Sequence, residues 1–181
     1  MPTQISIQPD VASGPELVSE LNPFPVEVVK QASSSLPATY RASFSFAAVS
    51  GDALVIFGVA GKVIKITEIV IAKPSAQETV LVVKRATADS GGTSTLQTVI
   101  PMDSNDSLVS TAVRAYTVAP TAGTSLGNVA RCVVASTDVL VFTLGDKGKY
   151  PTLRSASECL AINVDASATF PGWIEWTEEA A

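Results

Sequence analysis

Ser50-Gly51-Asp52-Ala53-Leu54-Val55-Ile56-Phe57-Gly58-Val59-Ala60-Gly61-Lys62-Val63-Ile64-Lys65-Ile66-Thr67-Glu68-Ile69-Val70-Ile71-Ala72 is the stretch that decides the fold. Ser50-Gly51-Asp52 reads as a turn, and residues 53–59 as a near-continuous apolar strand. Gly61-Lys62 turns the chain again. Residues 63–72 then alternate: Val63, Lys65, Thr67, Ile69 and Ile71 on one side, Ile64, Ile66, Glu68 and Val70 on the other. β-Branched residues with a period of two, punctuated by glycine, are the signature of paired strands.

The same pattern continues on both sides. Residues 40–46 place Tyr40, Ala42, Phe44 and Phe46 on one face. Further strands are expected at 78–85, 112–119, 127–135, 139–144, 158–164 and 170–177, about nine in all, with no helical period after residue 39. Residues 86–105 have the Gly/Ser/Asp composition of a long loop. Short strands at this spacing indicate an antiparallel β-sandwich of jelly-roll-like type.

Ahead of this domain (40–181), residues 1–39 read as an extended, proline-rich arm. They hold Pro2, Pro9, Pro15, Pro23, Pro25 and Pro37 of the chain's 11 prolines. Proline forces the residue before it toward extended geometry. The arm carries Ile5, Ile7, Val11, Leu17, Leu21, Phe24, Val26, Val28 and Val29, too many apolar residues for a solvating tail. These nine are the expected interaction residues of the arm, lying on its own surface or a partner's.

Composition excludes several function classes. The chain has 181 residues, a net charge of −5 and only 16% charged residues. Its 12 basic residues are scattered, against nucleic acid as the partner. There is no histidine, so the commonest general base and metal ligand are missing. No run approaches the roughly 20 apolar residues of a membrane span, and the N-terminus lacks the features of a signal peptide. Cys132 and Cys159 lie in apolar strand-like segments. Free thiols are favoured there over a disulfide between neighbouring strands.

The candidate chemistry is thin. Asp103-Ser104-Asn105-Asp106-Ser107 has alternating oxygen ligands, but Leu108 and Arg114 stand where a calcium loop requires Gly and Glu, which favours an Asx-turn. Asp89-Ser90-Gly91-Gly92-Thr93 lacks the Gly-Lys spacing of a phosphate loop and reads as a glycine-rich hairpin turn. Glu175, Glu178 and Glu179 read as a solvated acidic tail rather than as paired catalytic carboxylates. Ile174 and Trp176 are expected in the core, with Trp173 on the other face beside Glu175. Trp173 is thus the candidate exposed aromatic, with Tyr150 and Tyr116 as further platforms for a carbohydrate. No catalytic, cofactor-binding or metal-binding residue is assigned, and no enzyme is expected.

Several segments carry a resemblance. Lys84-Arg85-Ala86-Thr87-Ala88-Asp89-Ser90-Gly91-Gly92-Thr93-Ser94-Thr95, Val99-Ile100-Pro101-Met102-Asp103-Ser104-Asn105, Thr111-Ala112-Val113-Arg114-Ala115-Tyr116-Thr117 and Ile174-Glu175-Trp176-Thr177-Glu178-Glu179 resemble small virion proteins of tailed bacteriophages. Asn22-Pro23-Phe24-Pro25-Val26, Ala38-Thr39-Tyr40-Arg41-Ala42 and Gly61-Lys62-Val63-Ile64-Lys65-Ile66 are similar too. Met102 stands where that pattern is expected to have His. The resemblance implies a β-sandwich or jelly-roll structural subunit without catalytic residues or cofactor. It implies a place in the virion, assembled in the bacterial host cytoplasm. The favoured role is a capsid decoration (cement) protein, a homotrimer bound to the major capsid protein or another virion protein. A neck, tail, baseplate or fibre-base subunit is the alternative, and a carbohydrate-binding module the third reading.

Overall fold

Strand pairing in the computed structural model, which describes residues 37–181 except 73, 146, 147 and 166, builds two antiparallel sheets. The strands are β1 (Ala38–Ala47), β2 (Gly51–Phe57), β3 (Lys62–Ala72), β4 (Glu78–Arg85), β5 (Thr93–Leu96) and β6 (Val99–Pro101). They continue as β7 (Val113–Val118), β8 (Ser125–Val134), β9 (Val139–Thr143), β10 (Thr152–Leu153), β11 (Cys159–Val164) and β12 (Thr169–Ala180). These residues belong to one compact unit, Pro37–Ala181. The arm residues Ile5, Ile7, Val11, Leu17, Leu21, Phe24, Val26, Val28 and Val29 lie outside the described residues.

One sheet runs β10-β3-β12-β1-β6, with β9 sharing the outer edge of β3 with β10. The second runs β5-β7-β2-β11-β4-β8. If β5–β7 are set aside as an insertion and β9 and β10 count as one edge, eight strands remain. Numbered along the chain, they stand in the orders 1-8-3-6 and 2-7-4-5. That is the strand order of a jelly roll, as the sequence pattern predicts.

The core follows from the alternation. Tyr40, Ala42, Phe44, Ile174 and Trp176 point inward from the first sheet, against Leu54, Ile56, Val80, Val82, Leu160 and Ile162 of the second. Tyr40 stacks on Trp176 at 6.1 Å and Phe44 on Phe170 at 6.3 Å between ring centroids. The Tyr40 hydroxyl donates to the Ser107 carbonyl at 2.8 Å, so its polar end is satisfied.

Three expectations are corrected. First, the stretch 86–105 is not one long loop. It contains β5, paired with β7, and β6, paired with β1. Both strands are short, and their partners are remote in sequence, so local pattern could not reveal them. Second, the C-terminal glutamates are not a solvated tail, because β12 runs to Ala180 between β1 and β3. Glu178 is buried and accepts hydrogen bonds from the Ser110 and Thr111 backbone at 3.0 Å each, and from the Trp176 indole at 3.2 Å. A buried carboxylate persists when donors meet it in this way.

The third correction concerns β3. Opposite β12, Glu175 pairs with Glu68 and Trp176 with Ile66, so Thr67 is an extra residue. This β-bulge puts Ile64, Ile66, Ile69 and Ile71 together in the core and turns both Thr67 and Glu68 outward. A strict period of two cannot survive an inserted residue.

Candidate functional site

The bulge sits beside a gap in the sheet edge. β9 pairs with Glu68 through Ala72, and β10 with Ile64 and Lys65. The chain leaves the edge at Leu144, whose N–H donates to the Thr67 carbonyl at 2.8 Å. It returns at Pro151, whose carbonyl accepts from the Ile66 N–H at 3.0 Å. An open cleft of about 270 Å3 lies there, lined by Thr67, Glu68, Thr143, Leu144, Gly145, Tyr150 and Glu175.

Its floor is a polar row across four strands. Arg41 pairs with Glu175, Glu175 with Glu68, and Glu68 with Thr143. Two carboxylates directly opposite each other repel, and each is offset differently. Glu175 binds the Arg41 guanidinium at 2.6 Å and accepts from the Thr67 hydroxyl at 3.3 Å. Glu68 Oε1 accepts from the Trp173 indole N–H at 2.9 Å, and Glu68 Oε2 accepts no hydrogen bond among the described residues.

The aromatic candidates separate. Trp173 is half-buried, with the Arg41 guanidinium 5.4 Å above its ring and its N–H committed to Glu68. It orients a carboxylate and is not an open platform. Tyr116 is buried on the outer side of the second sheet, beside Val55, Cys159 and Ala161, so it is no platform either. Tyr150 is exposed and walls the cleft. Its ring lies against Gly145, where a Cβ would collide with the ring carbons. Gly145 also has φ +96°, a conformation side chains disfavour.

A second polar group was not signalled by the sequence. β2 also carries a bulge: Ile162 pairs with Leu54 but Asn163 with Asp52, which skips Ala53. Ala53 and Leu54 both face the core, and Asp52 is turned to the outer side. There it contacts Arg85 Nη2 at 2.5 Å and accepts from the Asn163 amide at 2.8 Å. Arg85 Nε lies 3.1 Å from Asp89, whose Oδ1 accepts from the Gly123 N–H at 2.8 Å. Asp89 is pushed up to about 6, chiefly by burial and further by Asp52, against the Gly123 hydrogen bond and Arg85. Cys159 next to it is pushed up to about 12, again chiefly by burial.

The remaining candidates are structural. Asp103 Oδ1 accepts from the Asn105 N–H at 2.9 Å, an Asx-turn. Gly91 and Gly92 have φ of 69° and 73° in the turn that leads into β5. Cys132 and Cys159 are free, on β8 and β11, with β4 between them. Among the described residues, no group of three or more His, Cys, Asp or Glu is placed to hold a metal ion. Comparison with protein-family models, curated proteins and solved structures finds no match.

Proposed function

We propose that this chain is a structural subunit of a tailed-bacteriophage particle, a decoration protein that reinforces the head shell by contacts between subunits. The observation that carries this reading is a pair of open, apolar flanks. β8 and β9 are consecutive strands, and they end the two sheets on one side of the sandwich. They expose Leu126, Val129, Val133, Val139 and Val141. β5 and β6 end the sheets on the other side and expose Leu96 and Ile100, with Met102 just beyond. Among the described residues no strand covers the outer edge of any of these four. Open edges with apolar side chains favour association.

Two different flanks on one subunit suit a heterologous contact, which closes into a ring such as the homotrimer expected from the sequence. The jelly-roll order is compatible with this role and does not assign it, because that architecture serves capsids, lectins and enzymes alike. The resemblance of the β-domain segments to small virion proteins supplies the particle context.

The test is a map of purified particles with the subunit's copy number. High copy number over the head shell is the expected result. Few copies at the neck, tail, baseplate or fibre base would move the subunit there, and absence from particles would overturn the reading. Val133→Asp with Val141→Asp should leave a folded monomer that no longer incorporates.

A further inference from the structure

We infer that the cleft at the split edge of the first sheet is a binding site for a neutral sugar ring. This goes beyond the assembly role and does not depend on it. The cleft is built by the fold. The Thr67 bulge turns two consecutive polar residues outward, and the hydrogen bonds at Leu144 and Pro151 fix where the chain leaves and rejoins the sheet edge. Its volume of about 270 Å3 falls just below the roughly 300–1,000 Å3 range of small-ligand pockets, a size for one ring rather than a chain.

The lining matches the two surfaces of a sugar. A pyranose presents an apolar C–H face and a rim of hydroxyls. Tyr150 offers an exposed ring that packs closely against Gly145. Glu68 Oε2 is an acceptor without a hydrogen bond among the described residues, and it is aimed by the Trp173 indole on its other oxygen. Thr143 and Thr67 supply hydroxyls, and Glu175 adds acceptor lone pairs while its charge is offset by Arg41. A lining rich in acceptors suits a ligand rich in O–H donors. Among the described residues lining the cleft the charged side chains are Glu68 and Glu175, with Arg41 paired to Glu175, which disfavours a uronate or other anion. For an open site and a ligand of about a dozen heavy atoms, affinity is on the order of millimolar.

The test is an NMR titration of the full-length, 15N-labelled protein. The probes are methyl α-glucoside, methyl β-galactoside and N-acetylglucosamine, with glucuronate and tetramethylammonium as charged controls. At least one neutral sugar should give saturable shifts at the amides of Thr67, Glu68, Thr143, Leu144 and Tyr150. Tyr150→Ala and Glu68→Gln should each weaken that binding about tenfold. Glu68→Gln is decisive, because it keeps the side-chain volume and an oxygen for the Trp173 indole. The inference is overturned if none of the sugars saturates these amides up to about 100 mM. It is equally overturned if a charged control binds there more tightly, or if Glu68→Gln binds as well as the parent.

Discussion

The outer faces of the two sheets carry the same device with opposite consequences. On the first sheet, the bulge at Thr67 turns Glu68 outward, next to Glu175 and Arg41. On the second, the bulge at Ala53 turns Asp52 outward, toward Arg85 and Asp89. The first group stays in contact with water: the Arg41 and Glu175 side chains are 37% and 21% exposed. The second is sealed, with Arg85 at 7%, Asp52 at 1% and Asp89 at 0%. The segment around Asp89 crosses this face and is pinned by the Gly123 hydrogen bond and by the Ser90–Thr121 bridge. Solvent access, more than the identity of the side chains, decides what an ion pair is worth.

The sharpest way to break this comparison is to remove the cation from each group. Arg85→Met leaves Asp52 and Asp89 buried without their guanidinium. It should cost about 3–5 kcal/mol, the usual penalty for breaking a buried pair from one side. Arg41→Met should cost about 0–1 kcal/mol, as for exposed pairs. Urea denaturation of the full-length variants measures both, and equal losses would erase the distinction between the faces.

The next difference is in pH dependence. Folding raises Asp89 from 3.8 to about 6, so the native state holds a proton that the unfolded chain releases. The stability this supplies is fully present below about pH 4 and is lost as pH rises through about 6. Urea midpoints should therefore fall across that window. Asp89→Asn should remove its share of the slope. A slope unchanged in Asp89→Asn would assign the proton elsewhere.

Gly145→Ala probes the open face alone. The new Cβ would collide with the Tyr150 ring and hold an unfavourable φ, at a cost of about 1–3 kcal/mol. Gly61→Ala also has a positive φ, +73°, but its Cβ would meet open space. The two variants separate backbone strain from the ring contact. Only Gly145→Ala should shift the Tyr150 ring resonances.

How much of this was legible depended on whether the period of two held. It held along β1, so Tyr40, Ala42, Phe44 and Phe46 were read correctly, as were Ile174 and Trp176 on β12. It fails at Thr67 and Ala53, where the extra residue is an ordinary small side chain and leaves no mark in composition. Both polar groups lie at those failures, so sequence pattern missed both. The Ser50-Gly51-Asp52 pattern predicts a turn, whereas Gly51 and Asp52 already belong to β2. Trp173 stood out as the larger aromatic, yet its indole is spent on Glu68. Tyr150 became the wall of a cleft only through the return of the chain at Pro151, a contact between segments remote in sequence.

The smallest expected effect leaves stability untouched and reads the two faces through their thiols. Cys159 is buried behind Asp89, and its thiol is pushed up to about 12, so the reactive thiolate is scarce at neutral pH. Cys132 is half-buried on β8, at the open flank. Iodoacetamide at about pH 8 should alkylate Cys132 in the native subunit and reach Cys159 only after unfolding, as read by peptide mass spectrometry. Equal rates at the two residues would mean that the second sheet's outer face opens readily, and its group would then no longer count as sealed. The same measurement on assembled particles bears on the flanks. If β8 and β9 meet a neighbour, Cys132 labelling should slow in the particle relative to the free subunit, while Cys159 stays unreactive in both.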